Sequence, residues 1–331
     1  MTSVIALHGV TRAVGEAQIL HGVDLEAREG EIVGLLGPNG AGKTTTVDLI
    51  AGLERPSSGS VTVLGVDPER QRSTITENVG VQPQAAALFP SLTVDETLRL
   101  FASFHDDPLP LAELRGRVGL TELRRTRVKH LSGGEERRLR IAIALVGRPT
   151  LVLLDEPSAG LDPEMRRDIA QLIREIRSAG ATVLMTTHHL DEAQQLCDRV
   201  AIMARGRIVL AGSPDDLTRA LVAPSQVCFT VAQDTDPELL TAAVGEQRTE
   251  RALAAGKRIT APSDDPDATL RRLTFTRGLH ATGVAVHHPT LEDVYLAAVE
   301  EPGAGSGERG AGHRGTGSGE PGRAARTTAD G

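Results

Sequence analysis

Residues 37–44 read Gly-Pro-Asn-Gly-Ala-Gly-Lys-Thr and satisfy G-x-x-x-x-G-K-[ST] at every fixed position. The run before them, Ile32-Val33-Gly34-Leu35-Leu36, is short and non-polar, as a parallel strand buried on both faces should be. The run after them, Thr45 to Ala51, can be helical. Strand, glycine loop and helix in that order require an α/β fold and turn a pattern match into a site. Gly37, Gly40 and Gly42 allow a tight turn with N–H groups pointing inward, while Pro38, Asn39 and Ala41 fill the other variable positions beside Gly40. Those N–H groups, with the helix start at Thr45, make a cradle for phosphate oxygens. Lys43 adds positive charge for the β- and γ-phosphates of a bound nucleotide, and the Thr44 hydroxyl is the expected Mg²⁺ ligand.

The 331 residues are enough for two domains of ordinary size. Aromatic residues make up only 2% of the chain, so the core must rest on Leu, Ile, Val and Ala. That scarcity and a formal net charge of −8 argue against a nucleic-acid partner, which calls for stacking platforms or a basic surface. Cys197 and Cys228 are too few for a disulfide framework, and Cys197 is expected to be simply packed in a helix. No charged and then apolar leader follows Met1, and no apolar run approaches the ~20 residues that span a bilayer. A peripheral location at the cytoplasmic face of the cell membrane, reached through a partner, is the expectation.

Taken in order, Val4–Leu7, Leu20–Leu25 and Val61–Leu64 read as strands of a mostly antiparallel sheet beside the glycine loop. Val79 to Gln84 is a strand ending in a Pro-Gln loop; Thr93–Phe104 and Leu111–Arg125 are helical. After Leu131-Ser132-Gly133-Gly134-Glu135 a basic amphipathic helix runs from Glu136 to Val146. Leu151–Leu154 is a buried parallel strand that closes on Asp155-Glu156. Asp162-Pro163 starts a helix to about Ser178. Ala181–Met185 is the next buried strand, ending in Thr186-Thr187-His188-His189, with a helix over Leu190–Cys197. A hairpin follows around Gly206. Beyond Leu217 the pattern weakens into a small α+β region with strands at Val227–Val231 and Val284–Val286. Helices are expected there at Pro237–Val244, Ala268–Leu273 and Leu291–Ala298. The expected division is 1–218, 219–299 and a disordered Gly-rich tail, 300–331.

These motifs, in this order, resemble the nucleotide-binding subunit of ABC transporters. Leu131–Glu135 is similar to the family's LSGGQ signature, with Glu in place of Gln. The resemblance implies a P-loop NTPase fold: a RecA-like parallel sheet, an N-terminal antiparallel β subdomain, a helical signature subdomain and the small C-terminal α+β domain. It implies that Asp155 holds Mg²⁺ through water, that Glu156 polarises the attacking water, and that His188 contacts the γ-phosphate. It makes Gln84 the glutamine that reaches the metal, with Gln82 a weaker candidate, and leaves His189 as an exposed helix-start residue. Ala159-Gly160-Leu161-Asp162 resembles the loop that crosses the dimer interface. Ser132, Gly133 and Gly134 then face the γ-phosphate held by a second ATP-binding subunit, identical or related, in a head-to-tail dimer. An integral membrane permease is the implied further partner.

Two departures stand out. Val14, before Gly15, occupies the place where the family usually stacks an aromatic ring on adenine, and Glu135 adds a carboxylate near a phosphate site. Thr290–Leu296 resembles the closing segment of the daunorubicin-resistance group of exporters, which favours ATP-driven drug efflux. An ATPase moving lipid, polymer or another solute is the alternative. A factor acting on ribosomes or DNA is disfavoured by the single cassette and the lack of a heptad insert.

Overall fold

The computed structural model describes residues 2–84, 87–221, 224–254 and 256–300. The first stretch forms β1 (Ser3–Val14), β2 (Ala17–Arg28), β3 (Ile32–Leu36), α1 (Lys43–Ile50), β4 (Ser58–Val63), α2 (Arg72–Asn78) and β5 (Val79–Gln82). Next come α3 (Val94–Ala102), α4 (Leu111–Arg117), α5 (Gly133–Leu145), β6 (Leu151–Asp155), α6 (Pro163–Ser178) and β7 (Thr182–Thr187). They are followed by α7 (Leu190–Leu196), β8 (Arg199–Ala204), β9 (Arg207–Gly212) and α8 (Pro214–Ala220). The last part holds β10 (Ser225–Val231), α9 (Pro237–Val244), β11 (Thr249–Leu253), β12 (Gly256–Ser263), α10 (Pro266–Phe275), β13 (Thr282–His287) and α11 (Leu291–Glu300). No helix of the described residues is long and apolar enough to cross a membrane.

The central sheet has six strands in the order β5-β6-β7-β3-β8-β9. All pair in parallel except β8 with β9. Every residue of β3, β6 and β7 is buried, so the period-2 alternation divides them between two apolar layers. Ile32, Leu36, Val152, Leu154, Val183 and Met185 face the helical layer with α3 to α7. Val33, Leu35, Leu151, Leu153 and Leu184 face α1 and an antiparallel sheet of order β2-β1-β4. The expected N-terminal β layer is therefore present.

The second helical run ends earlier than the expected Leu111–Arg125: α4 stops at Arg117. Gly119 takes φ +65° and the Leu120 N–H closes back on the Arg115 carbonyl at 2.9 Å, which terminates the helix. The following turns then serve another element. The carbonyls of Thr126 and Arg124 accept from Val94 and Asp95 N–H, both at 3.0 Å, and so cap the start of α3.

The C-terminal sheet has the order β11-β12-β10-β13 and is antiparallel throughout. With α9 and α10 in chain order, this is the βαββαβ arrangement of ferredoxin-like folds. Its separate core comprises Val227, Phe229, Val231, Ile259 and Ala261 against Leu240, Ala243 and Leu273. α11 does not join that core. It packs on α7 and α8, with Leu291 and Val294 buried in the helical layer of the central sheet. The chain expected as a low-complexity tail from 301 onward lies outside the described residues.

Candidate functional site

Parallel register brings three strand ends together, since Leu36 pairs with Thr187 and Asp155 with Thr186. Ligands of open α/β sheets bind beyond such carboxyl ends. The glycine loop leaves β3 here and is held from behind by the N-terminal sheet. Gly42 has φ +103°, and a Cβ on it would lie 2.5 Å from Leu20 Cδ2, so only glycine fits. Ala41 O accepts from Gly206 N–H at 3.1 Å, and Gly206 O accepts from His21 N–H at 2.8 Å, tying the loop to the β8–β9 turn and to β2. Pro38, Asn39 and Gly40 form the exposed lip, and Thr44 and Thr45 open α1.

Lys43 is only 6% exposed, and its Nζ donates to the carbonyls of Gly37 at 2.8 Å and Pro38 at 3.2 Å. The same ammonium lies 3.7 Å from Glu156 Oε1. Thr44 Oγ1 donates to Asp155 Oδ2 at 3.0 Å, and Thr186 Oγ1 donates to Asp155 Oδ1. Burial and then the Asp155 charge hold the Asp48 carboxyl above the usual carboxylate range.

Glu156 is 7% exposed and has φ +49°, an uncommon left-handed backbone for a non-glycine residue that costs about 1–2 kcal/mol. Its N–H donates to Thr186 Oγ1 at 2.9 Å and to Thr186 O at 3.2 Å, which keeps the turn in place. The turn ends β6 and separates the two acids. Asp155 stays in the strand against the Thr44 hydroxyl, while the Glu156 carboxylate reaches His188 Nδ1 at 3.4 Å. The His188 side chain is 45% exposed. His189 differs from expectation. It is the half-buried ring of the pair, at the N-cap of α7, and burial followed by the neighbouring His188 charge lowers its pKa. Its ring lies against that of His188, with centroids 4.2 Å apart.

Gln84 follows β5 and is exposed, and its carbonyl accepts from Arg140 Nη1 of α5 at 3.5 Å. Gln82 is fully buried, and its Nε2 donates to Pro83 O at 2.8 Å and lies 3.5 Å from Asp155 O.

The signature segment begins α5. Ser132 Oγ accepts from Glu135 N–H at 3.3 Å, and Glu135 Oε2 accepts from Ser132 N–H at 2.7 Å. This capping box accounts for the Glu135 departure, because its carboxylate is turned onto its own helix start. Gly134 is buried where a Cβ would meet Met165 Sδ of α6 at 2.4 Å, whereas Gly133 is open. Asp162 caps α6 by accepting from Glu164 and Met165 N–H at 3.0 and 2.9 Å. Lys43, Thr44, Asp155, Glu156 and His188 thus gather in one place. Ser132, Gly133, Gly134 and Asp162 form a second group at two helix starts, without a hydrogen bond to the first among the described residues.

Thr186, Ser158 and Glu192 were not singled out from the sequence. The Thr-Thr-His end of β7 was the available signal for Thr186; Ser158 and Glu192 carried none without a fold.

The ABC transporter family profile matches residues 20–159. The chain is 34% identical over 305 residues to Nod factor export ATP-binding protein I of Ralstonia nicotianae, covering 89% of this chain and 93% of that protein. It is 34% identical over 234 residues to linearmycin resistance ATP-binding protein LnrL of Bacillus subtilis, covering 69% of this chain and 75% of that protein. A solved ATP-binding subunit of an ABC transporter superposes with a TM-score of 0.59 at 30% identity, over 65% of this chain and 92% of that one. With the glycine loop, the acid pair and the capped signature helix in these positions, the chain belongs to the ABC transporter family and is one of its ATP-binding, ATP-hydrolysing subunits.

Proposed function

We propose that this ATPase powers a membrane exporter of the drug-efflux type and works as a head-to-tail dimer. The observation that carries the hydrolytic part is the Lys43–Glu156–His188 contact set at the ends of β3, β6 and β7. On binding ATP, Lys43 exchanges the Gly37 and Pro38 carbonyls for β- and γ-phosphate oxygens, and the free N–H groups of the glycine loop and the start of α1 take the rest. The Thr44 hydroxyl beside the Asp155 carboxylate is a set of hard oxygen donors that fits Mg²⁺, with Gln84 as a further ligand from the loop after β5. Mg²⁺ bound there supplies positive charge to the β- and γ-phosphate oxygens. Glu156 orients the attacking water and accepts its proton, while His188 holds the γ-phosphate. No covalent intermediate is needed, because positioning and charge stabilisation do the work.

Ser132, Gly133 and Gly134 lie at the start of α5, where free N–H groups favour an anion. Because they stand apart from the phosphate cradle of their own chain, a second ATP-binding subunit is the natural donor of this anion site to each ATP. Asp162 sits beside that interface. The proposed layout is 1–218 for the ATPase, 219–299 for a small C-terminal region whose last helix, α11, packs back on the ATPase core, and 300–331 for a tail. A permease places the subunit at the cytoplasmic face of the membrane. Export is favoured by the two relatives, whose names specify Nod factor export and linearmycin resistance. Gentle detergent pull-down from native membranes with mass spectrometry tests this reading. Equal-stoichiometry recovery of a multi-span protein is expected; recovery of only ribosomal or DNA-repair proteins overturns it.

A further inference from the structure

The turns that carry Glu156 and His188 leave different strands, and one carboxylate joins them. Glu192, in the first turn of α7, accepts through Oε2 from Ser158 Oγ at 2.6 Å and from Thr187 Oγ1 at 3.2 Å. Ser158 stands two residues after Glu156 and is 1% exposed; Thr187 stands one before His188 and is 2% exposed. The Thr187 hydroxyl also accepts from His189 N–H at 2.9 Å, so the start of α7 is drawn into the same group. Hydroxyl donation to an ionised carboxylate is stronger than between neutral groups, which makes this a stiff joint. Glu192 Oε1, in contrast, is buried without a hydrogen-bond partner among the described residues. Burying an unpaired carboxylate oxygen works against stability.

We propose that Glu192 is a positioning residue for hydrolysis. Through one oxygen it locks the Ser158 turn to the Thr187 turn and so sets the spacing of Glu156 and His188, 3.4 Å between Oε1 and Nδ1. The inference rests on the roles proposed above for those two residues. Small misplacement of positioned groups costs rate rather than binding.

The test is steady-state ATP hydrolysis and nucleotide binding of the full chain carrying Glu192→Ala, Glu192→Gln, Ser158→Ala and the Glu192→Ala/Ser158→Ala pair, with Glu156→Gln as reference. Glu192→Ala should lower kcat about 10–100-fold with KM and ATP binding within about threefold. Glu192→Gln, whose amide oxygen still accepts both hydroxyls, should recover most of that loss. The double variant should be no slower than Glu192→Ala alone, as expected for two members of one unit. Turnover within twofold of the unsubstituted chain in Glu192→Ala overturns the inference. So do a Glu192→Gln variant as slow as the alanine, or multiplying effects in the pair. If Glu192→Ala fails to fold, Ser158→Ala decides, and normal turnover there overturns it. A normal Glu156→Gln instead refutes the reading beneath it, so the two failures are distinguishable.

Discussion

The six-stranded sheet and the four-stranded C-terminal sheet solve the same packing problem differently. In the first, β3, β6 and β7 are covered on both faces and every residue is buried. Polar groups have nowhere to emerge except at the strand ends, and there stand the glycine loop, Asp155-Glu156 and Thr187-His188. In the second, α9 and α10 cover one face, and Val227, Phe229, Val231, Ile259 and Ala261 point to them. The other face carries Gln226, Thr230, Arg258 and Thr260, all half-exposed, while the edge strand β11 is exposed throughout. Full coverage concentrates polar chemistry at one rim; half coverage spreads it over a surface.

That contrast can be broken most directly at the rim. Glu156→Gln should retain ATP binding while turnover falls about 100- to 10,000-fold, and Lys43→Ala should lose nucleotide binding. Near-normal turnover of the first would remove the water role from the rim. A smaller effect separates the two cores. Phe229→Ala removes a side chain buried in the C-terminal core and should cost about 3–5 kcal/mol there, whereas Leu291→Ala should cost about 2–5 kcal/mol in the helical layer of the central sheet. Hydrogen exchange should rise within 225–287 for the first and in α7 and α8 for the second; the same pattern for both would mean one shared core. The smallest effect sharpens the account of the rim. Val14 is 57% exposed at the end of β1. Val14→Tyr, offering a ring to adenine, should tighten ATP binding in a fluorescence titration by about 1–3 kcal/mol if stacking there matches that on bases elsewhere. An unchanged affinity would show that adenine is held without that position.

How much was legible in the sequence follows the same division. Ile32–Leu36 and Leu151–Leu154 are continuous apolar runs, so their strands were readable, and the motifs at their ends fell into place with them. The β11–β12 hairpin was missed because Thr249–Leu253 and Gly256–Ser263 are largely polar, with Ile259 and Ala261 as the main buried apolar residues. The helices α2 and α8, seven residues each, were missed as well. Leu111–Arg125 misled because its pattern continues past Arg117, where the left-handed Gly119 ends the helix and the turns that follow cap α3. In the candidate site, the residue types were visible, but the left-handed Glu156 and the joint made by Glu192 depend on which strands lie side by side. The Glu135 capping box was local and could have been read from Ser132-x-x-Glu135.

The seat of α11 changes what kind of addition the C-terminal sheet is. α11 packs against α8, the helix from which the chain departs toward β10, so the chain leaves the ATPase core and returns to it at the same place. Topologically, 225–287 is an insertion between two helices of one core, not an appendage. A chain cut after Leu221 would lose Leu291 and Val294 and bare the apolar face they cover. A chain in which a short linker replaces the insertion would keep both. Neighbouring exit and return points are the condition under which a folding unit can be exchanged, enlarged or removed while its host keeps its own packing. The ferredoxin-like module can therefore vary as a cassette, under constraints of its own, while the rim at the strand ends of the central sheet stays as it is.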